Sequence, residues 1–574
     1  MNKSNRSGWV AITMAAAGLL AAHASWGETA PGGEADLILT NGEIHTPGGW
    51  VHALAARQGV ILALGESEAI LRLKGEHTRL IDLAGATVVP GLHDMHVHPL
   101  FAGLSAMQCN FAQGASPDEI AAALRQCVQH KTRGEWITGG QWDANSLGKR
   151  RPDRKFLDRI APDNPVVLTD ISGHSAWANS AALKAAGITT ATVNPDGGFI
   201  ERDARGDPNG FLRESAAGLV RRVVPPATDA QNVEALQSAL HTMLSFGITS
   251  LTDAIVAGDG LRAYATLADR GILKQRVKAC MPWHPTSPDA AHDALPEYIM
   301  ERNLFARERF SPTCIKIFLD GVPTDSHTAA MVEPYADAKA LDAARARGVL
   351  MVQPDVLKAA TTRFDRMGLV VKYHAAGDAA VREGLDAIEA ARKADGYSGL
   401  MHEVGHNSFV QESDLPRARA IGATFEMSPY IWYPNPIIPD IVKAIGPDRM
   451  KRWIPVKDAI DSGALVVPGS DWPVVPSVDP WIAIETLVTR QPPGGGGEPL
   501  GGVERITLEQ AFDLFTTNAA REMGNASRTG RIEKGMLADV LVLDRNPFRI
   551  PITQVHETKV RLAIINGEVV YRAQ

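Results

Sequence analysis

Several short segments of the 574-residue chain carry side chains that could bind a metal ion. His96 and His98 follow a strand-like run, and residues two apart in a strand point to the same face, so both imidazoles could hold one ion. Alone the pair is a weak signal, since the 17 histidines of the chain give roughly half such a pair by chance. The pair therefore has to be judged together with the other candidate ligands.

Four further candidate ligands lie within or at the end of strand-like runs. Lys316 lies between two isoleucines that point to the opposite face of the strand. A lysine inside an apolar strand faces a large desolvation cost, unless it reaches solvent or is converted by carbon dioxide to an anionic, bidentate carbamate. His374, His406 and Asp471 each close such a run, and barrel enzymes place their chemistry at the carboxyl ends of strands.

The middle of the chain alternates strand-like and helical patterns, which predicts βα units and a parallel sheet. Strand-like runs occupy residues 166–169, 247–252, 314–320, 370–374, 423–427 and 465–470, with helical patterns at 232–246, 260–270, 379–394 and 507–514. So many units favour an α/β fold of the (β/α)8 TIM-barrel class over an open sheet. Residues 132–230 are rich in Gly, Pro, Asn and Asp, and they predict an insertion near one rim.

The two ends of the chain share a different pattern, of short strands separated by glycine turns. Residues 36–45 and 560–571 each contain an Asn-Gly turn between strand-like runs. We therefore expect residues 28–90 and 525–574 to form one small β-sandwich, with a barrel over 91–524 between them.

Residues 1–27 predict a secretory signal peptide. Lys3 and Arg6 precede a mostly apolar run over 10–22, and small residues follow it. The run is too short to span roughly 30 Å of hydrocarbon, so we expect a periplasmic or secreted protein without an integral membrane segment after cleavage. N-terminal sequencing of the periplasmic fraction should find a mature chain beginning between Ser25 and Glu28, and an intact Met1 there would contradict this.

The composition excludes one class of partner. Lys and Arg number 58 and Asp and Glu 65, for a formal net charge of −7, and no basic block is present. Such a chain is a poor nucleic-acid binder, so a small-molecule substrate is the expected partner. The composition leaves open whether the chain forms a homo-oligomer.

The chain has four cysteines, none at metal-site spacing. Cys109 and Cys127 flank a predicted helix over 116–131 and could form a disulfide in an oxidising compartment, although connectivity cannot be read from sequence. Cys280 and Cys314 are expected to be small, buried apolar side chains.

Seven motifs together make a specific set: residues 90–98, 172–180, 197–202, 316–321, 374–378, 469–473 and 530–539. They resemble the amidohydrolase superfamily, in particular its YtcJ-like (amidohydrolase 3) branch, which includes N-substituted formamide deformylases. The resemblance covers nearly the whole chain after the N-terminal segment. It implies a (β/α)8 barrel with a β-sandwich made from both chain ends, as the patterns above also predict.

The resemblance implies two divalent metal ions. Carried over by position, the ligands would be His96, His98, Lys316, His374, His406 and Asp471. The first two with Asp471 would bind one ion, the two later histidines would bind the other, and a carbamate on Lys316 and a hydroxide would bridge them. Imidazole and carboxylate donors favour Zn²⁺, with Mn²⁺, Co²⁺ or Fe²⁺ next.

The implied reaction is hydrolysis of a C–N bond in an amide, a formamide or a related group. Asp471 would take a proton from the attacking hydroxide and pass it to the leaving amine. One position departs from the branch, whose sixth strand commonly reads Arg-His-Arg-Ile-Glu-His, because Gly405 precedes His406 here. We therefore expect altered support for the metal ligands and altered orientation of the substrate.

Three alternatives to this reaction stay open. Mononuclear deaminases of the superfamily carry a Glu three residues after the fifth-strand His, where this chain has Gly377, and Lys316 would have no role in them. An isomerase or decarboxylase could use the same ligands, and an exported regulator without catalysis could keep the fold.

Aromatic and polar side chains in the loops predict a small, apolar or aromatic substrate. The candidate substrate contacts are Trp142, His174, Arg202, Trp432 and Trp472.

Overall fold

The computed structural model describes residues 33–574 except 113, 143–146, 148–150, 171–174, 196–197, 287–292, 325, 339–345 and 429–437. The predicted signal peptide over 1–27 lies outside the described residues. Within the described ranges, no helix is both long and apolar enough to cross a membrane.

The described chain begins with short strands and one helix. These are β1 (Ala35–Thr40), β2 (Glu43–Thr46), β3 (Gly49–Val51), β4 (Ala53–Arg57), β5 (Val60–Gly65), α1 (Ser67–Leu71), β6 (Lys74–Asp82) and β7 (Thr87–Pro90).

The first barrel strand, β8 (Leu92–Val97), leads through α2 (Pro99–Ala106) into an insertion. The insertion comprises β9 (Cys109–Asn110), α3 (Pro117–Gln129), β10 (Ile137–Trp142), α4 (Arg154–Asp158), β11 (Val166–Asp170), β12 (Ser175–Ala178), α5 (Ser180–Ala185), β13 (Gly198–Arg202), β14 (Pro208–Glu214) and α6 (Ala217–Arg221). Its six strands form one sheet in the order β13-β14-β12-β11-β10-β9. This sheet begins at Cys109, before the expected start of the insertion near residue 132.

Seven more strands complete the barrel. They are β15 (Ile248–Asp253), β16 (Arg276–Pro282), β17 (Phe310–Phe318), β18 (Val370–Ala375), β19 (Glu403–His406), β20 (Thr424–Met427) and β21 (Leu465–Pro468). The accompanying helices are α7 (Asp229–Ser245), α8 (Gly258–Asp269), α9 (Glu297–Met300), α10 (Pro354–Arg366), α11 (Asp378–Asp395), α12 (Leu415–Ile421), α13 (Ile438–Ile445), α14 (Pro447–Met450) and α15 (Val456–Asp461).

The eight barrel strands form one sheet in the order β21-β20-β19-β18-β17-β16-β15-β8. Its two ends meet just beyond the last strand. The His98 amide donates to the Trp472 carbonyl at 2.9 Å, and the Asp471 amide donates to the His96 carbonyl at 2.7 Å. The sheet is thus nearly closed as a barrel, which confirms the predicted α/β TIM-barrel class.

The chain ends with α16 (Pro480–Thr489), α17 (Leu508–Asp513), α18 (Ala519–Glu522), β22 (Val540–Leu543), β23 (Val560–Ile565) and β24 (Glu568–Arg572). The last three strands join the first ones in a six-stranded sheet, β24-β23-β22-β7-β2-β3, beside a four-stranded sheet, β5-β4-β1-β6. Leu39 and Leu54 of the smaller sheet share one buried core with Val88 and Val540 of the larger. Residues from both chain ends therefore build this core together.

Two disulfides link elements of the fold. Cys109 of β9 is bonded to Cys127 of α3, and Cys280 is bonded to Cys314. The expectation that the latter two are merely small apolar side chains was wrong. They are register partners on the parallel strands β16 and β17, a neighbourhood that only the strand pairing reveals.

Candidate metal centre

The six predicted metal ligands meet at the carboxyl end of the barrel. They are His96 and His98 at the end of β8, Lys316 in β17, His374 in β18, His406 in β19 and Asp471 after β21. All are buried except His374, which is partly exposed. The parallel strands bring residues that are far apart in sequence to one edge, as the alternating pattern predicts.

One carboxylate oxygen faces two imidazoles. The Asp471 Oδ1 atom lies 3.2 Å from His98 Nε2 and 3.7 Å from His96 Nε2. The same Nε2 atom of His96 also lies 3.3 Å from the Nζ atom of Lys316. The candidate ligand atoms of the two histidines and the aspartate all lie within 4.8 Å of one another.

The remaining two histidines continue the cluster. The His406 ring centroid lies 4.5 Å from that of His96 and 4.4 Å from that of His374. Three imidazoles therefore run side by side from β8 through β19 to β18. We call the six predicted ligands the ligand cradle.

Two residues of the cradle adopt a backbone conformation that is rare for a residue with a side chain. His406 has a φ of 70° and Asp471 a φ of 59°, both in the left-handed region. Such conformations cost free energy and persist where the surrounding structure holds them, most often at functional sites.

Burial keeps two imidazoles of the cradle, those of His96 and His406, neutral. Burial, followed by the charge of Lys316, holds the pKa of His96 well below its usual range. Burial, followed by His374, does the same for the pKa of His406. Burial and the Lys372 ammonium lower the pKa of Lys316 to about 7. Neutral imidazoles that converge with a carboxylate are the donor set that a divalent transition metal or zinc ion prefers, so these residues fit a metal ion.

Three polar residues that the sequence reasoning missed hold the histidines in place. The Nδ1 atom of His374 lies 3.1 Å from Asp320 Oδ1, that of His96 lies 2.5 Å from Glu426 Oε2, and that of His406 lies 3.1 Å from Ser428 Oγ. Asp320 belongs to the recognised motif over 316–321 but had no assigned role, and no spacing rule relates the other two to their histidines.

Asp320 is fully enclosed by donors. Its two carboxylate oxygens also accept hydrogen bonds from the amides of Ala330, Ala376 and Gly377, at 2.8–3.0 Å. These bonds fix the carboxylate, which in turn fixes the orientation of the His374 ring.

Asp320→Asn is expected to weaken metal binding by about 10–100-fold, because the ring of His374 loses its charged partner. Chelator competition on the purified variant measures this. Asp378→Asn is the matched control, since Asp378 accepts from the Val332 amide at 2.7 Å and supports the same region without an imidazole contact. Equal losses in the two variants would contradict the assignment.

A buried ionic network lies beneath the cradle, where barrel interiors usually hold apolar side chains. Lys372 Nζ lies 2.6 Å from Glu403 Oε2, and Lys278 Nζ lies 2.8 Å from Glu403 Oε1. Lys278 also pairs with Glu522. Since each cation faces a carboxylate, the cost of burying these charges is partly offset.

Two of the predicted substrate contacts have partners within the insertion. Trp142 is only 2% exposed, and its indole nitrogen donates to the Leu168 carbonyl at 3.1 Å within the core of the insertion. The Arg202 guanidinium donates to backbone carbonyls that include those of Thr192 and Gly206, so it fastens a loop of the insertion. The Trp142 side chain thus packs in a core, and the Arg202 side chain holds a loop in place. The sequence alone could not show either role.

The structure describes one of the three other predicted substrate contacts. Trp472 directly follows Asp471 and is partly exposed beside the cradle. His174 and Trp432 lie outside the described residues.

An eight-stranded parallel barrel with imidazole and carboxylate donors at the carboxyl ends of its strands is typical of metal-dependent hydrolases. Residues 79–571 match the family described as "Amidohydrolase family", and the chain belongs to this family.

Individual relatives agree with this membership. YtcJ, a candidate amidohydrolase of Bacillus subtilis (strain 168), is 30% identical over 532 residues, which cover 90% of this chain and 96% of that protein. The N-substituted formamide deformylase of Arthrobacter pascens is 26% identical, over 93% of this chain and 98% of its own. A solved structure of an uncharacterised metal-dependent hydrolase from Pyrococcus furiosus is 27% identical, with a TM-score of 0.71 over 89% of this chain and 100% of that one.

Proposed function

We propose that the protein hydrolyses a C–N bond of a small amide, formamide or related substrate at a centre of two divalent metal ions, with Zn²⁺ the favoured ion. His96, His98 and Asp471 would hold one ion and His374 and His406 the other. The observation that carries the proposal is the single Asp471 oxygen that faces both His96 and His98 within a cluster of four imidazoles. When bound, the ions would supply a water of lowered pKa and polarise the scissile carbonyl.

Asp471 is the residue that we propose moves the proton. Its backbone amide donates to the His96 carbonyl at 2.7 Å, which fixes the carboxylate at the centre of the cradle. From there it would accept the proton of the attacking water and return it to the leaving nitrogen. The ring of His374, at the partly exposed side, borders the space that the substrate would enter.

Lys316 would act as a carbamate that bridges the two ions. Its side chain is buried, and its Nζ atom contacts the His96 imidazole at 3.3 Å with no carboxylate within ion-pair distance in the described part of the chain. A buried amine that faces an imidazole is costly as an ammonium. The neutral amine would react with carbon dioxide to give an anionic carbamate and release one proton, and the carbamate would supply two oxygen donors to cations that offset its charge.

An apolar or aromatic substrate suits the surface around the cradle. Phe101, three residues after His98, is 56% exposed, and Val474, three residues after Asp471, is 65% exposed. Trp472 lies two residues before Val474 in sequence. Apolar side chains beside a buried polar centre are typical of sites for small ligands.

A hydrolysis screen tests this proposal. The purified, metal-loaded protein is assayed against N-formyl and N-acyl amines, lactams, carbamates and esters, with and without a chelator. We expect release of amine from an apolar or aromatic amide or formamide, its loss on chelation, and its return with Zn²⁺. No turnover by a fully metallated sample would contradict the proposal and favour the isomerase, decarboxylase or regulator alternatives.

We further propose that the protein is exported. Disulfides persist in oxidising compartments and are rare in the cytosol. All four cysteines of this chain are paired, as Cys109–Cys127 and Cys280–Cys314. This supports the signal peptide expected over residues 1–27.

A further inference from the structure

Gly405 and Glu426 are neighbours across two barrel strands. β19 and β20 pair in parallel, and the register places Gly405 directly opposite Glu426. Glu426 is fully buried, and Gly405 is buried beside it. Gly405 also immediately precedes His406 of the cradle.

The carboxylate of Glu426 occupies the space that a side chain on residue 405 would need. A Cβ atom built on Gly405 would lie 2.8 Å from Glu426 Oε2 and 2.8 Å from the Tyr373 carbonyl oxygen. Real Cβ atoms essentially never approach other atoms below 3.0 Å. The glycine is therefore needed here because a carboxylate from one neighbouring strand and a backbone carbonyl from the other leave no space for a Cβ atom.

That carboxylate touches the histidines of the cradle. Glu426 Oε2 lies 2.5 Å from His96 Nδ1 and accepts from the backbone amide of His406 at 3.4 Å. The other oxygen, Oε1, accepts from the Ser428 hydroxyl at 3.2 Å. On the far side of the same ring, His96 Nε2 faces Asp471 and Lys316.

We propose that Glu426 is the positioning residue for His96, supplied by β20 in the space that Gly405 leaves on β19. A carboxylate bonded to Nδ1 holds the proton on that nitrogen, so that the Nε2 lone pair points into the cradle. The inference rests on the proposed metal centre, since it concerns how one of its ligands is oriented.

The geometry predicts that the carboxylate can be supplied from either strand but not from both. The Cβ position at Gly405 lies 3.6 Å from His96 Nδ1, so a longer side chain starting there can also reach the ring. With Glu426 present, a Glu at residue 405 would have no room. With residue 426 shortened to glycine, the clash with the carboxylate is removed, and the Tyr373 carbonyl oxygen, at 2.8 Å from the new Cβ atom, has to shift slightly.

Four variants test the inference by metal affinity in chelator competition and by the absorption spectrum of the Co²⁺-loaded protein. We expect E426Q and E426G to bind metal about 10–100-fold more weakly than the wild type. The exchange variant G405E/E426G should recover part of that loss, because the Tyr373 carbonyl still crowds residue 405. E426Q keeps the shape of the side chain, so it tests the role even where E426G is poorly folded.

E485Q is the matched control, because Glu485 is an equally buried carboxylate on α16 that lies 2.7 Å from the Nδ1 atom of His556, a histidine that is not part of the cradle. It should lower the unfolding temperature yet leave the metal affinity and the Co²⁺ spectrum unchanged. Wild-type affinity in folded E426Q would overturn the inference without affecting the proposed function. A wild-type chain that takes up no metal would overturn both the inference and the proposed function.

Discussion

Asp471→Asn is expected to lower kcat by about 10²–10⁴-fold, the range that a general acid–base group contributes, while metal binding stays close to that of the wild type. The asparagine side chain keeps an oxygen donor of the same length, so the contact that now joins Asp471 Oδ1 to His98 Nε2 at 3.2 Å can be retained. An amide cannot accept the proton of the attacking water and return it to the leaving nitrogen.

Steady-state kinetics on a substrate from the hydrolysis screen, with metal content measured on the same sample, tests this prediction. Asp479→Asn is a matched control, because that buried carboxylate caps α16 through the Trp481 amide, at 2.9 Å, away from the cradle. It should keep the wild-type kcat. Turnover like that of the wild type in Asp471→Asn would refute the proton-transfer role, and loss of metal would refute the view that Asn can replace it as a ligand.

Lys316→Met is expected to reduce the bound metal from two ions to one and to lower kcat by about 10²–10³-fold, the loss typical for one preorganised electrostatic group. Methionine fills a similar volume but cannot react with carbon dioxide. Wild-type apoprotein should regain activity faster with added bicarbonate, and the variant should show no such dependence. Metal analysis and reconstitution with and without bicarbonate measure both effects.

Lys278→Met serves as the control for the loss of a buried lysine in the barrel. Lys278 pairs with Glu403 and Glu522 and is not one of the cradle residues. The variant should be less stable, because removal of the Lys278 charge leaves buried carboxylates uncompensated. It should still bind both ions. A Lys316→Met variant that retains two ions and bicarbonate-independent activity would show that no carbamate is needed.

The barrel and the six cradle residues could be predicted from sequence for a simple physical reason. Parallel strands align their carboxyl ends, so ligand-type residues such as His374, His406 and Asp471 that close successive strand-like runs must meet at one edge. The β-rich patterns at both chain ends likewise predicted the small composite core around Val88 and Val540.

The residues that support the cradle could not be predicted in the same way. Glu426 bonds to His96 from a strand that is far away in sequence, and only the register with Gly405 shows that it fills that gap. The Cys280–Cys314 bond depends on strand register too. The sequence around Trp142, which closes β10, carries no clear periodic pattern, so a core side chain could not be told from a substrate contact there.

The most direct test of the central claim is a crystal structure of the Zn²⁺-loaded protein with anomalous scattering measured at the zinc edge. We predict two anomalous peaks in the cradle, one beside His96 and His98 and one beside His374 and His406, with electron density that extends beyond the Nζ atom of Lys316 toward both. No anomalous peak within the cradle, or zinc bound by other residues only, would contradict the proposed metal centre.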